Sequence, residues 1–333
     1  MMGYCDVDEK ESVWWNTARN DTAWWHSIAK AIIKSGPTFT VFFVNDVRDA
    51  ARLFCCILLT NFVQSTLFML ILFLHVPYHI AFIMDGNRRF ARRNHLDHVI
   101  HGHEKGFQQL AKVLEWCHDF GVREVTVYAF SIENFKRNSD EVEGLMKLAE
   151  KMFGRLLDDK EKLEEKQIAF RFFGNVALLS PRLRKLLAQI ELKTREYSNG
   201  VVNVCMPYTS RDEITRAFEL VRMGKEKGLL EENQITEWLL SRCLDSRHST
   251  QPRLLIRTSG EKRLSDFLLW QCSCSHVYFD DVLWPEFNYL HLCKAIMSYQ
   301  YYDKIIQVIG RNQASSEPSE EERLALQPFF GLR

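Results

Sequence analysis

The chain carries no surplus charge: 43 basic side chains meet 43 acidic ones across 333 residues. No global field therefore draws it toward nucleic acid. Nine cysteines are present, yet none forms a C-x-x-C pair or a zinc-type spacing. Cys272 and Cys274 make only a C-x-C, so reduced thiols facing a cytosolic compartment are expected. No cleavable signal peptide is expected, because the N-terminal stretch is polar and Trp-rich without an apolar centre. No repeat of solenoid length appears. The familiar phosphate loops are missing too: there is no G-x-x-x-x-G-K followed by Ser or Thr, and no G-x-G-x-x-G after a strand. The length suits one large or two modest domains.

What is present is an alternation of strand and helix patterns from Pro77 onward. Strands are expected at Ile80–Met84, Glu124–Phe130, Ile168–Phe173, Val201–Met206, Leu254–Arg257 and His276–Phe279. Helical periodicity fills Glu104–His118, Asp140–Lys166, Pro181–Tyr197, Arg211–Gly224 and Ile235–Cys243. That order predicts an α/β fold: a single, mainly parallel β-sheet with helices on both faces.

Three of these strands end in polar groups, and in a parallel sheet their ends share one edge. Ile80–Met84 runs into Asp85-Gly86-Asn87-Arg88-Arg89, Glu124–Phe130 into Ser131-Ile132-Glu133-Asn134-Phe135-Lys136-Arg137, and Leu254–Ile256 into Arg257-Thr258-Ser259-Gly260-Glu261-Lys262-Arg263-Leu264-Ser265. Gly86 lets backbone approach a ligand, and guanidinium groups suit phosphate oxygens. Asp85 would repel a bare phosphate, so its place beside two arginines suggests a bridging Mg²⁺. The inventory suits two diphosphate groups better than one small acid. The plain alternative for each end is a turn with exposed charges, which three coincident ends argue against. A nucleophilic-aspartate phosphatase would need a carboxylate where Asn87 stands. Asp158-Asp159-Lys160-Glu161-Lys162 reads as a solvated helical face. His101 and His103 flank Gly102 at a helix start, where a cap and a phosphate contact are equally open readings.

Upstream, residues 1–37 hold Trp14-Trp15 and Trp24-Trp25, and Trp25, Ile28 and Ile32 share a helix face ending near Gly36-Pro37. With Lys30 and Lys34 nearby, that helix lies at a membrane interface or packs on the main domain. Residues 38–76 form a hydrophobic insert. Leu53–Val76 lacks Asp, Glu, Lys and Arg and is long enough to cross a bilayer, with Asn61, Gln64 and Ser65 near its middle counting against it. Flanking arginines on both sides leave its orientation unset. The segment from Asn312 to Arg323 has the composition of a solvated or disordered tail. The expected organisation is thus 1–37, 38–76, a catalytic domain at 77–311 and a polar tail at 312–333.

These residues resemble cis-prenyltransferases, the undecaprenyl diphosphate synthase-like family, and within it the eukaryotic, dolichol-making branch. The likeness is carried by His79–Ala91, the Gly102-His103 pair, Tyr128–Arg137, Ile256–Ser265, Phe267–Gln271 and Val282–Phe287, and it covers about Pro77 to Gln300. It implies that Asp85 holds Mg²⁺ against an allylic diphosphate cradled by Gly86, Asn87, Arg88, Arg89 and His103. Ser131 and Asn134 would sit between the substrates, near the site of proton loss. Arg257, Arg263 and Ser265 would bind isopentenyl diphosphate, with Arg137, Glu141 and Glu261 in support. An apolar product tunnel would draw on the faces of Leu110–Leu114 and Leu145–Leu156. The implied reaction is Mg²⁺-dependent condensation of isopentenyl diphosphate onto farnesyl diphosphate, giving long-chain polyprenyl diphosphate for dolichol. The implied location is the cytoplasmic face of the endoplasmic reticulum membrane.

Departures from the family pattern qualify this. Val99, with His98 beside it, stands where an arginine is usual, and Arg253 replaces an acidic residue before the Leu-Leu-Ile-Arg run. The late metal-binding glutamate of bacterial members falls at His276. Homodimeric members end in an Arg-x-Gly motif, which neither Gly310-Arg311 nor Phe330-Gly331-Leu332-Arg333 matches, so a Nogo-B receptor-like partner is expected to supply it. Family members run almost directly from the Gly-Pro into the first strand. The insert is therefore either a membrane anchor or a translated intron. A non-catalytic partner subunit is the competing reading, and the joint presence of Asp85, Asn134, Arg257, Arg263 and Ser265 argues against it.

Overall fold

A computed structural model describes residues 75–313 and 318–331. The expected helix within 1–37 and nearly all of the insert at 38–76 lie outside the described residues. Among the described residues no helix is long and apolar enough to cross a membrane.

Six strands form one sheet: β1 (His79–Ile83), β2 (Glu124–Tyr128), β3 (Ile168–Phe173), β4 (Gly200–Cys205), β5 (Leu254–Arg257) and β6 (His276–Phe279). Their order is β3-β4-β2-β1-β5-β6, and every pairing is parallel. Each lies within two residues of its expected bounds. The chain leaves central β1 toward β2 on one side, and β5 and β6 fill the other. The carboxyl ends flanking β1 therefore border a crevice of the kind that open α/β sheets use for ligands.

Alternation along the strands divides the core between the two faces. Ile80 and Phe82 of β1 join Val125, Val127, Val202, Val204, Leu254 and Ile256 on one face. Ala81, Ile83 and Leu255 face the other side, against Tyr208, Phe267 and Leu268. The first face is covered by α2 (Val99–Asp119), α3 (Ser139–Asp158), α5 (Pro181–Thr194) and α8 (Tyr289–Gln313), with α1 (Asn87–Arg93) lying against α2. Phe82, Trp284 and Phe287 form an aromatic knot there, with ring centroids 5.7–6.3 Å apart. Each such fully buried ring contributes about 2–3 kcal/mol of hydrophobic stabilisation.

The helical run expected over Asp140–Lys166 is two helices. The chain breaks at Asp159 and resumes as α4 (Lys160–Lys166), with Asp158, Asp159 and Lys160 exposed. Two further helices, α6 (Ser210–Glu226) and α7 (Glu237–Cys243), build a third apolar cluster. The C-terminal stretch ends differently from its composition. After exposed α9 (Glu320–Ala325), α10 (Gln327–Phe330) buries Leu326 and Phe329 in that cluster. Gly224 makes the seat, since a Cβ there would lie 2.5 Å from the Phe329 ring. Two apolar side chains suffice to dock a segment that is polar on average.

Candidate active site

The sheet brings the three polar strand ends to one edge. Register pairs Ile83 with Arg257, which sets the last residue of β5 beside the last residue of β1. Beyond them the Arg257 guanidinium donates from Nη2 to Asp85 Oδ2 at 2.9 Å. The backbone N–H of Gly86 donates to Asp85 Oδ1 at 2.7 Å. Burial pushes the Asp85 carboxyl up, but the bond to Arg257 and its charge, with help from Gly86 and Ser259, outweigh this and hold it below the usual carboxylate range. Asp85 is therefore an anion at neutral pH.

Its backbone is clamped as well. The Thr258 hydroxyl donates to the Asp85 carbonyl at 2.8 Å and accepts the Asp85 N–H at 3.1 Å. The Trp284 N–H donates to the same carbonyl at 3.0 Å, and its indole Nε1–H donates to Gly106 at 2.8 Å. Gly86 sits at φ 108°, in the left-handed region, with Leu283 where a Cβ would be. Asn87 then starts α1, pressed so closely on α2 that a Cβ at Gly102 would lie 2.3 Å from the Asn87 carbonyl.

Two basic groups flank Asp85. In the first, Glu141 on α3 accepts from Arg137 at 2.9 Å and stands 4.0 Å from Arg88. Burial and then the Arg88 charge lower the Arg137 pKa, against the pull of Glu141 and Asp85. His103 completes this group. Burial first, then the Arg137 charge, bring its pKa down to about 4, so the ring is neutral at physiological pH. In the second group, Glu261 stands 3.8 Å from Arg89 and also receives Arg263. Arg257 donates to the Ser265 hydroxyl at 2.7 Å and to the Arg263 carbonyl. Five guanidinium groups thus meet three carboxylates, which leaves the edge short of negative charge.

The β2 end supplies neutral groups. Ser131 caps a short 3₁₀ turn at Ile132–Lys136, accepting the Glu133 N–H at 3.2 Å, while Asn134 Oδ1 accepts the Ser131 N–H at 3.1 Å. Every residue expected at the site lies on this edge or in the loops and helix starts that border it. Sequence reasoning missed the clamps Thr258 and Trp284. Both stand within quoted motifs, but only the packing assigns them a task. His276, where the bacterial glutamate falls, is a histidine remote from the carboxyl edge of the sheet. His276 opens β6, paired with Leu254 at the far end of the strands, and its Nε2 meets Ser298 at 2.9 Å. It is not near Asp85. His98 is exposed at the cap of α2, its ring 6.1 Å from that of His101.

Asn87 Oδ1, His103 Nε2 and Arg257 Nε are buried without a hydrogen-bond partner among the described residues. Buried polar atoms are normally satisfied; His103 Nε2 and Arg257 Nε can donate to a polyanion, whereas the Asn87 oxygen is an acceptor packed against Gly106. No group of three or more His, Cys, Asp or Glu side chains fit to hold a metal occurs among the described residues. One carboxylate beside arginines whose guanidinium groups suit phosphate oxygens is the donor set that would fit Mg²⁺ bound largely through the oxygens of a phosphate ligand.

A family model described as "Putative undecaprenyl diphosphate synthase" matches residues 83–306. The human dehydrodolichyl diphosphate synthase complex subunit is 49% identical over 232 residues, covering 70% of this chain and 69% of the human one. A tritrans,polycis-undecaprenyl-diphosphate synthase (geranylgeranyl-diphosphate specific) of Methanopyrus kandleri is 41% identical over 225 residues, 68% of this chain and 82% of its own. Among solved structures, lavandulyl diphosphate synthase from Lavandula x intermedia, in complex with dimethylallyl diphosphate, aligns with a TM-score of 0.64 at 29% identity. That alignment covers 68% of this chain and 95% of the other.

Proposed function

The chain belongs to the undecaprenyl diphosphate synthase family of cis-prenyltransferases, and on that premise we propose that it condenses isopentenyl diphosphate onto farnesyl diphosphate repeatedly. The product is a long-chain dehydrodolichyl diphosphate, precursor of the dolichyl phosphate glycosyl carrier for protein glycosylation. The observation that carries this reading is Asp85 held by Arg257 between two arginine groups, each bridged by one glutamate.

In this reading Gly86, Asn87, Arg88, Arg89 and His103 receive the allylic diphosphate. A helix start and guanidinium groups stabilise the charge that develops as diphosphate leaves. Asp85 would hold Mg²⁺, which supplies Lewis-acid neutralisation of that leaving group. Arg257, Arg263 and Ser265 hold the isopentenyl diphosphate. Arg137, Glu141 and Glu261 keep the arginines spaced while the site is empty. Ser131 and Asn134 follow the end of β2, which flanks β1 on the side away from β5, and in this reading they serve the step in which the proton is lost from the elongating unit. Partly buried Leu110, Leu114, Leu145, Met146 and Leu156 on α2 and α3 pack on the core beside the site and supply an apolar wall for the growing chain.

The remaining elements of the reading are a heteromer with a Nogo-B receptor-like subunit that supplies the Arg-x-Gly motif, and action at the cytoplasmic face of the endoplasmic reticulum membrane. The test is transfer of label from isopentenyl diphosphate into farnesyl-primed chains, with and without that subunit. Label transfer only in its presence is expected. Robust transfer by the chain alone would overturn the heteromer, and no transfer under either condition would overturn the enzyme.

A further inference from the structure

Tyr128 closes β2, and its phenol lies where two functional loops meet. The ring stacks on Phe267 with centroids 4.5 Å apart at 13° and meets Tyr208 edge-on at 6.1 Å. Its hydroxyl points at two carbonyls, Tyr208 O at 3.0 Å and Ser265 O at 3.3 Å, sharing one proton between them. The Tyr208 carbonyl also accepts the N–H of Ile132 at 3.3 Å, next to Ser131. Burial raises the Tyr128 pKa far above its ordinary value. The group is therefore a neutral donor throughout the physiological range.

The second loop needs such a tether. Ser265 and Asp266 lie at φ 51° and 60°, left-handed values that non-glycine residues rarely adopt. Asp266 is held from the α6 side, accepting from the Arg211 N–H at 3.1 Å, Arg211 Nε at 2.8 Å and the Ser210 N–H at 2.8 Å. Ser265 receives Arg257 on its side chain, and Tyr128 is the donor to its carbonyl. A shift of that carbonyl would move the Ser265 hydroxyl off Arg257, and Arg257 is the partner of Asp85.

We infer that Tyr128 is a positioning residue for the isopentenyl diphosphate half of the site, its hydroxyl keeping the Ser265 loop in register with the Ser131 loop. This rests on the function proposed above and assigns one residue the task of coupling the two loops. The allylic half is built on α1, α2 and α3 and receives no bond from Tyr128.

The Tyr128→Phe variant tests it, because it keeps the stack on Phe267 and removes only the hydroxyl. In the complete complex with farnesyl diphosphate as primer, the KM for isopentenyl diphosphate is expected to rise roughly three- to tenfold. The KM for farnesyl diphosphate should stay within about twofold, and the melting temperature within about 2 °C. Calorimetric titration of isopentenyl diphosphate into wild-type and variant complexes reads the same weakening without turnover. Failure of chain elongation in wild type would count against the proposed function, and this binding comparison would still decide the role of Tyr128. Unchanged isopentenyl binding, an equal rise in both KM values with a fall in melting temperature, or a rise confined to farnesyl diphosphate would each overturn the inference.

Discussion

Arg257 and Asp85 are paired at 2.9 Å across 172 residues of sequence, yet their side chains lie at different depths, 3% exposed for the arginine and 34% for the aspartate. The arginine is the fixed member, tied also to Ser265 and to the Arg263 carbonyl. The aspartate is the presented member, braced from behind and open in front. That asymmetry suits the role proposed for Asp85, a carboxylate offered to a ligand in front of it.

The pair links acid stability to the site. Asp85 titrates lower in the folded chain than in the unfolded one, so its contribution is present above the unfolded carboxylate value and is lost as pH falls through the folded value. Asp85→Asn leaves Arg257 buried without its counter-charge. Discounted for the exposure of Asp85, we expect a cost of about 1–2 kcal/mol at pH 7. Urea denaturation should show this deficit at pH 7 and a smaller one in acid, where wild-type Asp85 is itself protonated.

His103 titrates near pH 4 because burial and the Arg137 charge, seconded by Arg88, outweigh Glu141. A histidine whose folded pKa lies below its unfolded value costs stability as pH falls below the unfolded 6.5, and the loss stops growing near the folded value. The account predicts that diphosphate bound beside Arg88 raises this pKa, because the anion favours the charged ring. NMR titration of the His103 ring with and without inorganic diphosphate reads the shift directly. An unchanged midpoint would remove His103 from the allylic site.

Close approach of α1 to α2 depends on bare glycine. Gly102→Ala would set a methyl 2.3 Å from the Asn87 carbonyl, and Gly106→Ala would do the same to Asn87 Oδ1. Each should cost about 1–3 kcal/mol by overpacking and displace Asn87 and Arg88 from the diphosphate. Expected results are a lowered melting temperature and a raised KM for farnesyl diphosphate. Full retention of both would show that α1 has room to move.

The C-terminal latch is separable from chemistry. Phe329 is fully buried against Gly224 and Leu230. Phe329→Ala should cost about 3 kcal/mol in chemical denaturation. Substrate KM values should hold below the new unfolding transition.

The strands were legible because each is a short apolar run bounded by polar turns, as in His79–Ile83 and Leu254–Arg257. The polar strand ends were legible for the same reason: Asp85 and Ser131 interrupt apolar runs abruptly. The long helix Tyr289–Gln313 was not, since exposed Met297, Tyr301, Ile305 and Val308 blur its face. Thr258 was legible only as a loop hydroxyl. Its bonds to Asp85 span 173 residues, and no local pattern encodes a contact created by strand pairing. His276 was legible only as the replacement of a glutamate; its pairing with Leu254 at the start of β6 comes from strand register.

The most direct measurement is incorporation of radiolabelled isopentenyl diphosphate into lipid-extractable polyprenyl product by wild type and Asp85→Ala, each with the partner subunit and over a Mg²⁺ titration. The account predicts Mg²⁺-dependent product from wild type and a loss of at least about a hundredfold in Asp85→Ala, the scale of removing one charge-stabilising group. Wild-type levels of product from Asp85→Ala would contradict it.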